Sequence, residues 1–230
     1  MKRVLYILLV SIVLSACQQN VGSEQEGCVL ELDVACANMP VVASRAVDSH
    51  LAVTFFNAEG EEYLHYPAGS VPGRIVLEPG NFTICAYTEN QDSWYMANNG
   101  KGEACYYAVQ QVEMKYDHLT RITLAVPMTN YAVRVELPEL FDELFASYQL
   151  TLKSGVREVV ICEGEMAYFD IADGGFTYEF NATNTDGDSH ALSPIAFSEV
   201  QSGKCYLLNY GYGFDEESVA KAVPNGIVVQ

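Results

Sequence analysis

The sequence predicts an all-β fold, two β-sandwich domains with one short helix at the start of the second, and three observations predict it. Apolar and polar residues alternate in short runs along most of the chain, the period-2 signature of half-buried strands. Turn-forming Pro, Gly, Asn and Asp punctuate those runs, as between the strands of a sandwich. Only Pro138 to Ser147 shows helical periodicity. Half of the residues are hydrophobic and 11% are aromatic, which supports a packed core rather than a disordered chain.

The chain opens on MKRVLYILLVSIVLSAC. Lys2 and Arg3 form a positive leader, Val4 to Val13 an apolar run broken only by Ser11, and Leu14-Ser15-Ala16-Cys17 a small-residue ending. This three-part pattern is that of an export signal over residues 1–16. About ten apolar residues are too few for a bilayer span, which needs about 20. The Leu-Ser-Ala-Cys ending also matches a bacterial lipobox, in which Cys17 is acylated through its sulfur and becomes the new N-terminus. Acyl chains, at about 0.8 kcal/mol per buried CH₂, tether a protein without a spanning helix. Residues 17–27 then read as a lipidated, polar tether. The leader carries two of the 12 basic groups and none of the 30 acidic ones, so its removal takes the net charge from −18 to −20. Such a body is repelled by phosphate backbones, and nucleic acid is not an expected partner.

Domain one is expected over residues 28–128. Cys28, Leu30, Leu32, Val34 and Cys36 point one way and Glu31 and Asp33 the other. A connector, Asn38 to Asp48, precedes a second alternation at Leu51, Val53 and Phe55. The Asn57-Ala-Glu-Gly60 turn leads into Glu61–Tyr66, and Ile75 and Leu77 mark a short strand. Glu78-Pro-Gly-Asn81 forms a tight turn before Phe82, Ile84 and Ala86. A polar, glycine-tipped loop, Thr88 to Gly102, separates these from strands at Tyr106–Val112 and Leu119–Val126. Pro127 to Asn130 breaks the pattern, and domain two is expected over residues 131–230.

That second half starts with alternation at Tyr131, Val133, Val135 and Leu137. Pro138 to Ser147 follows as the helix: proline in its first turn, Glu139, Asp142 and Glu143 near its N-terminus, and an apolar stripe of Leu140, Phe141, Leu144 and Phe145. Strands are expected near Tyr148–Leu152, Val156–Cys162, Met166–Ile171, Phe176–Ala182, Ile195–Val200 and Lys204–Tyr212. Asn184 to Ser193 reads as a polar loop, and Gly226 to Gln230 as the last edge of its own sheet. No 20–50-residue repeat is visible.

Beyond Cys17 there are six cysteines: Cys28, Cys36, Cys85, Cys105, Cys162 and Cys205. In an exported protein an even number permits bridges, with 15 possible connectivities. Cys28 and Cys36 on one straight strand would lie about 26 Å apart, too far to join. Cys85 with Cys105 and Cys162 with Cys205 are the alternatives, against the possibility that all are small buried hydrophobes. The four histidines are isolated from one another and no metalloprotease, phosphate-loop, nucleophile-elbow or dinucleotide motif occurs. Asn184-Thr-Asp-Gly-Asp188 begins like a calcium loop, but Ile195 stands where the bidentate glutamate belongs, so it reads as a turn. No catalytic residue, cofactor or metal is expected. Trp94 and Tyr95, flanked by Asn90, Gln91, Asn98 and Asn99, either present aromatic faces to a sugar or protein ligand or close over the sandwich as a lid.

Several stretches carry a family resemblance: the lipobox, Ser44-Arg45-Ala46, the run Leu77-Glu-Pro-Gly-Asn-Phe-Thr-Ile-Cys-Ala-Tyr87, Ile122-Thr-Leu-Ala-Val126 leading into Ala132-Val-Arg-Val135, and Gly203-Lys-Cys-Tyr-Leu-Leu208. Together they resemble the fimbrillin-like lipoproteins of Bacteroidales, including fimbrial anchor and tip subunits. The resemblance implies two transthyretin-like sandwiches, a lipid anchor in the outer membrane with display at the cell surface, and a structural or adhesive role beside other fimbrial subunits. A surface lipoprotein that binds a glycan or another ligand through the Trp94 loop is the alternative. In polymerising members of that family a protease cuts after an arginine beyond the first strand, and Arg45 occupies the corresponding place; the reading adopted is that Arg45 is a solvated linker residue and the first strand stays. The chain departs from the surface-displayed pattern in having no lysine or aspartate cluster directly after Cys17.

Overall fold

The computed structural model describes residues 27–37, 50–214 and 220–230. Sixteen strands are present among them: β1 (Cys28–Ala37), β2 (Leu51–Phe56), β3 (Glu62–Tyr66), β4 (Arg74–Leu77), β5 (Gly80–Thr88), β6 (Tyr107–Met114), β7 (Leu119–Pro127), β8 (Tyr131–Glu136), β9 (Phe145–Ser154), β10 (Arg157–Ile161), β11 (Met166–Phe169), β12 (Phe176–Asn184), β13 (Ser189–Ala191), β14 (Ile195–Phe197), β15 (Cys205–Phe214) and β16 (Ala220–Val229). The fold is all-β, as the alternation predicts.

The strands form four sheets that pair into two sandwiches. In the first, β4-β1-β7 faces β3-β2-β5-β6. Leu30, Leu32, Ile75, Leu77, Leu124 and Val126 from one sheet meet Leu51, Val53, Phe55, Ile84, Val112 and Met114 from the other in one core. In the second, β11-β8-β15-β16 faces β10-β9-β12-β13, with β14 also paired to β12. Its core is more aromatic. Tyr131 is fully buried, its ring centroid 5.8 Å from those of both Phe169 and Tyr206, and its hydroxyl is 3.0 Å from Ser154 Oγ and Gly175 O. Burial pushes that phenol up to about 12, so it stays a neutral hydrogen-bonding group.

The two sandwiches repeat one strand plan. In each, the first strand is central to its sheet, antiparallel to one neighbour (β4 or β11) and parallel to the other (β7 or β15). The facing sheets run β3-β2-β5-β6 and β10-β9-β12-β13. A topological duplication of about one hundred residues left no short-period trace in the sequence, since side-chain alternation is common to any half-buried strand.

Two local expectations need correction. The helix expected over Pro138 to Ser147 shrinks to one turn, Phe141–Leu144, entered through Leu140 at φ 63. The stripe residues do not act as one helical face: Leu140 is 63% exposed, while Phe141 and Phe145 are buried and stack on each other at 4.4 Å, with Tyr148 and Phe180 edge-on to Phe141 at 5.5 and 6.1 Å. Phe145 already begins β9, because burying its ring in the sandwich core outweighs continuing an exposed helix. The loop expected at Asn184 to Ser193 contains β13, which pairs back on β12. The C-terminal residues lie where expected, on the edge strand β16 beside β15.

Candidate functional site

The Thr88 to Gly102 segment is the longest excursion from the first sandwich with chemistry-bearing side chains, and local hydrogen bonds shape it. Met96 N donates to Ser93 O at 2.9 Å and Gly102 N to Ala97 O at 2.9 Å, while Asn98 Nδ2 donates to Gly102 O at 2.8 Å. Asn98 and Asn99 take left-handed backbone, at φ 51 and 59, which asparagine tolerates better than most residues. Gly102, at φ +84, is required twice over. A side chain there would be strained, and its Cβ would lie 3.0 Å from the Trp94 ring.

The second sandwich holds this segment. Arg157, at the start of β10, places its guanidinium 5.0 Å from the Trp94 ring centre and 5.1 Å from that of Phe169. It donates to Gly100 O at 2.8 Å, to Tyr95 O at 3.4 Å and to Tyr168 O. Burial lowers the Arg157 pKa, partly offset by Asp173, and the arginine remains charged. Lys101 Nζ is 2.6 Å from Glu165, and Tyr168 N donates to Lys101 O at 2.8 Å. Tyr168 extends the seam by packing its ring against the first core; burial pushes its phenol up to about 12.

The connector completes the junction. Asn130 is 4% exposed; its amide donates to Glu103 O at 2.8 Å and accepts from Cys105 N at 3.0 Å. Its own carbonyl accepts from Gly203 N at 2.9 Å. One side chain therefore binds the first sandwich while its main chain binds the second.

Trp94 is half-buried in this seam. Tyr95, edge-on to it at 6.2 Å, is 40% exposed, and Met96 is 65% exposed. The aromatic pair is thus divided between junction and solvent. Cys17, the 1–16 leader, tether residues 17–26 and Arg45 lie outside the described residues. Cys28, Cys85, Cys105, Cys162 and Cys205 are free thiols, so neither alternative pairing is formed; burial pushes Cys105 up to about 12, leaving it protonated. Asn184 to Asp188 is a turn, with Asp188 N donating to Asn184 Oδ1 at 2.8 Å. Among the described residues no cluster of three or more His, Cys, Asp or Glu could hold a metal, and no helix is long and apolar enough to cross a membrane. Arg157, Lys101, Glu165 and Asn130 escaped the sequence reading. Each is an ordinary polar residue whose partner in the other sandwich or across the connector lies 25 or more positions away, and no local pattern marks it.

The fold and the junction define a class: a tandem β-sandwich scaffold with a tied interdomain seam. Over residues 29–223 the sequence matches the model of a family described as domain of unknown function DUF4493, and the chain belongs to that family. No curated protein sequence matches it. Among solved structures, a candidate cell adhesion protein from Bacteroides uniformis aligns at a TM-score of 0.54 and 9% identity, over 89% of this chain and 97% of that one. A candidate cell adhesion protein from Bacteroides eggerthii gives 0.49 and 11%, over 89% and 94%. The fimbrial anchor protein Mfa2 from Porphyromonas gingivalis gives 0.37 and 12%, over 88% and 97%. At these identities the Bacteroides uniformis alignment is a likeness of fold.

Proposed function

We propose that the protein is a non-enzymatic, lipid-anchored component of the cell envelope, tethered through Cys17 in the outer membrane and serving a structural or adhesive role at the cell surface. The observation that carries this reading is the conjunction of the lipobox-type N-terminus with a two-sandwich body that shares its fold with a candidate cell adhesion protein over 89% of the chain. The −20 body suits a solvated position above a membrane and not a nucleic-acid partner. Residues 28–128 and 131–230 act as its two domains.

The first strand stays in place in this reading. β1 is the middle strand of its sheet, paired to β7 from Val29 through Ala37 and to β4 from Cys28 through Glu31, and cleavage at Arg45 would open the first core. Intact mass of the protein recovered from envelopes tests both points. The expected species is acylated Cys17 through Gln230; a chain starting at Ala46 would make this a polymerising subunit instead. Proteinase K treatment of whole cells tests display: wild type is digested, whereas Cys17→Ala is lost from the outer-membrane fraction.

A further inference from the structure

The outward face of β3-β2-β5-β6 is built unlike the rest of the surface. The strand registers place its side chains in three rows. Ala52, Tyr87 and Tyr107 form the first, His65, Thr54, Cys85 and Val109 the second, and Glu62, Phe56, Thr83 and Gln111 the third. Of these residues only Glu62, on the edge strand β3, carries a formal charge at neutral pH, in a protein of net charge −18. Although no sheet among the described residues packs on this face, Ala52, Thr54 and Cys85 are at most 8% exposed. Two larger neighbours, His65 and Tyr87, are held against Thr54. Thr54 Oγ1 lies 2.9 Å from His65 Nδ1 and 3.1 Å from Tyr87 Oη, and Tyr107 stands opposite Tyr87 on β6. Tyr107 and Val109 nevertheless present 43% and 51% of their surface to solvent. Beyond the third row the face runs into a depression lined by Asn57, Asn81, Thr83, Gln111 and Glu113.

We propose that this face binds a neutral glycan. Sugar C–H faces stack on the rings of Tyr107 and of Tyr87, the latter held in advance by its own hydroxyl, and the amides of Asn81 and Gln111, with the His65 ring, offer hydrogen bonds to sugar hydroxyls. Size and charge select this occupant. Four strands about 4.8 Å apart and three rows about 7 Å apart give a face of roughly 200 Å², far below the roughly 800 Å² per partner of a stable protein interface. An anionic glycan would be repelled by the protein's negative field, while a neutral one meets no such cost. The site lies on the sheet of the first sandwich and uses no residue of the Trp94 segment, and it supplies a ligand class for the surface role proposed above, on which it rests.

The test is a glycan array of neutral and sialylated structures probed with the purified full chain and its variants. Neutral glycans are expected to bind, with about a tenfold loss of affinity in Tyr107→Ala and a larger loss in Val109→Glu, which sets a carboxylate on the face. Tyr107→Phe keeps the ring and retains most binding, and Val160→Glu, on the exposed side of the second sandwich, is unaffected. Unchanged melting temperatures separate lost binding from lost folding. Binding of sialylated glycans alone, binding indifferent to both Tyr107→Ala and Val109→Glu, or no binding would overturn the proposal. So would a concentration-dependent dimer abolished by Val109→Glu, which would make the face an interface between copies. Failure of surface display is read separately, by protease accessibility on cells, and leaves the array result intact.

Discussion

Glu31 shows how one residue can set a local pH response. It sits on the outward side of β1 with Arg74 Nη2 and Arg121 Nε each 2.7 Å from one of its oxygens, so the middle strand is tied to both neighbours. The hydrogen bonds from Arg74 and then Arg121 hold its carboxyl below the usual carboxylate range. A carboxylate of lowered pKa stabilises the fold fully above its unfolded pKa and loses that contribution as pH falls through the folded one. Melting curves of wild type and Glu31→Gln, taken from neutral down to about pH 3, should therefore differ most at neutral pH and converge at the acid end. A gap that persists or widens on acidification would contradict the assignment. Both arginines are mostly exposed, so the effect should also shrink in high salt.

At the scale of elements, the one-turn helix marks where local pattern and tertiary packing part. Leu140 holds a left-handed backbone with most of its side chain in water, a conformation costing an L-residue roughly 1–2 kcal/mol. Leu140→Asn should relieve part of this, raising the melting temperature by about 2–4 °C, as read by calorimetry. A drop would mean that the leucine makes a packing contribution its exposure does not suggest. Alternation made most of the strands legible, because burying one face of a strand writes period 2 into the chain. β1, β2, β5, β7 and β12 fall within a few residues of their expected places. The sequence over-predicts the helix because Phe141 and Phe145, four apart, satisfy a helical stripe and equally well a turn that feeds two rings into one core. Strand order, parallel pairing and the repeated plan were not legible; they depend on contacts between distant segments. Of the candidate site residues, Trp94 and Tyr95 stood out by composition, but their fate was decided by Arg157, 63 residues beyond Trp94.

For the whole molecule, the seam decides whether the two sandwiches behave as one body. Arg157 and Asn130 between them join the Trp94 segment, the connector and both sheets of the junction. Arg157→Ala removes charge-assisted hydrogen bonds to carbonyls and the ring contacts, and should cost about 2–3 kcal/mol. Combined with Asn130→Ala, it should split a single calorimetric transition into two, since each sandwich keeps its own core. Phe180→Ala, a fully buried ring beside Phe141, Tyr148 and Tyr210, should then lower only one of the two, by about 3–5 kcal/mol. A double variant that still melts in one step would show that coupling comes from elsewhere in the interface.

The central position of β1 bears on how the chain is made. Its parallel partner begins at Leu119, opposite Val29, so the first strand of the body to leave the ribosome cannot complete its sheet until about ninety further residues have followed. At typical synthesis rates that is a wait of roughly 5–20 s. The earlier partner β4 covers only Cys28 to Glu31, so the rest of the strand waits for β7, the kind of segment that aggregates or is captured by holding chaperones. A shorter delay, the 73 residues from Ala132 to Cys205, recurs between β8 and β15. A fold closed by its latest strands leaves its earliest ones exposed longest, and for this chain the hazard of birth lies at the N-terminal edge of each half.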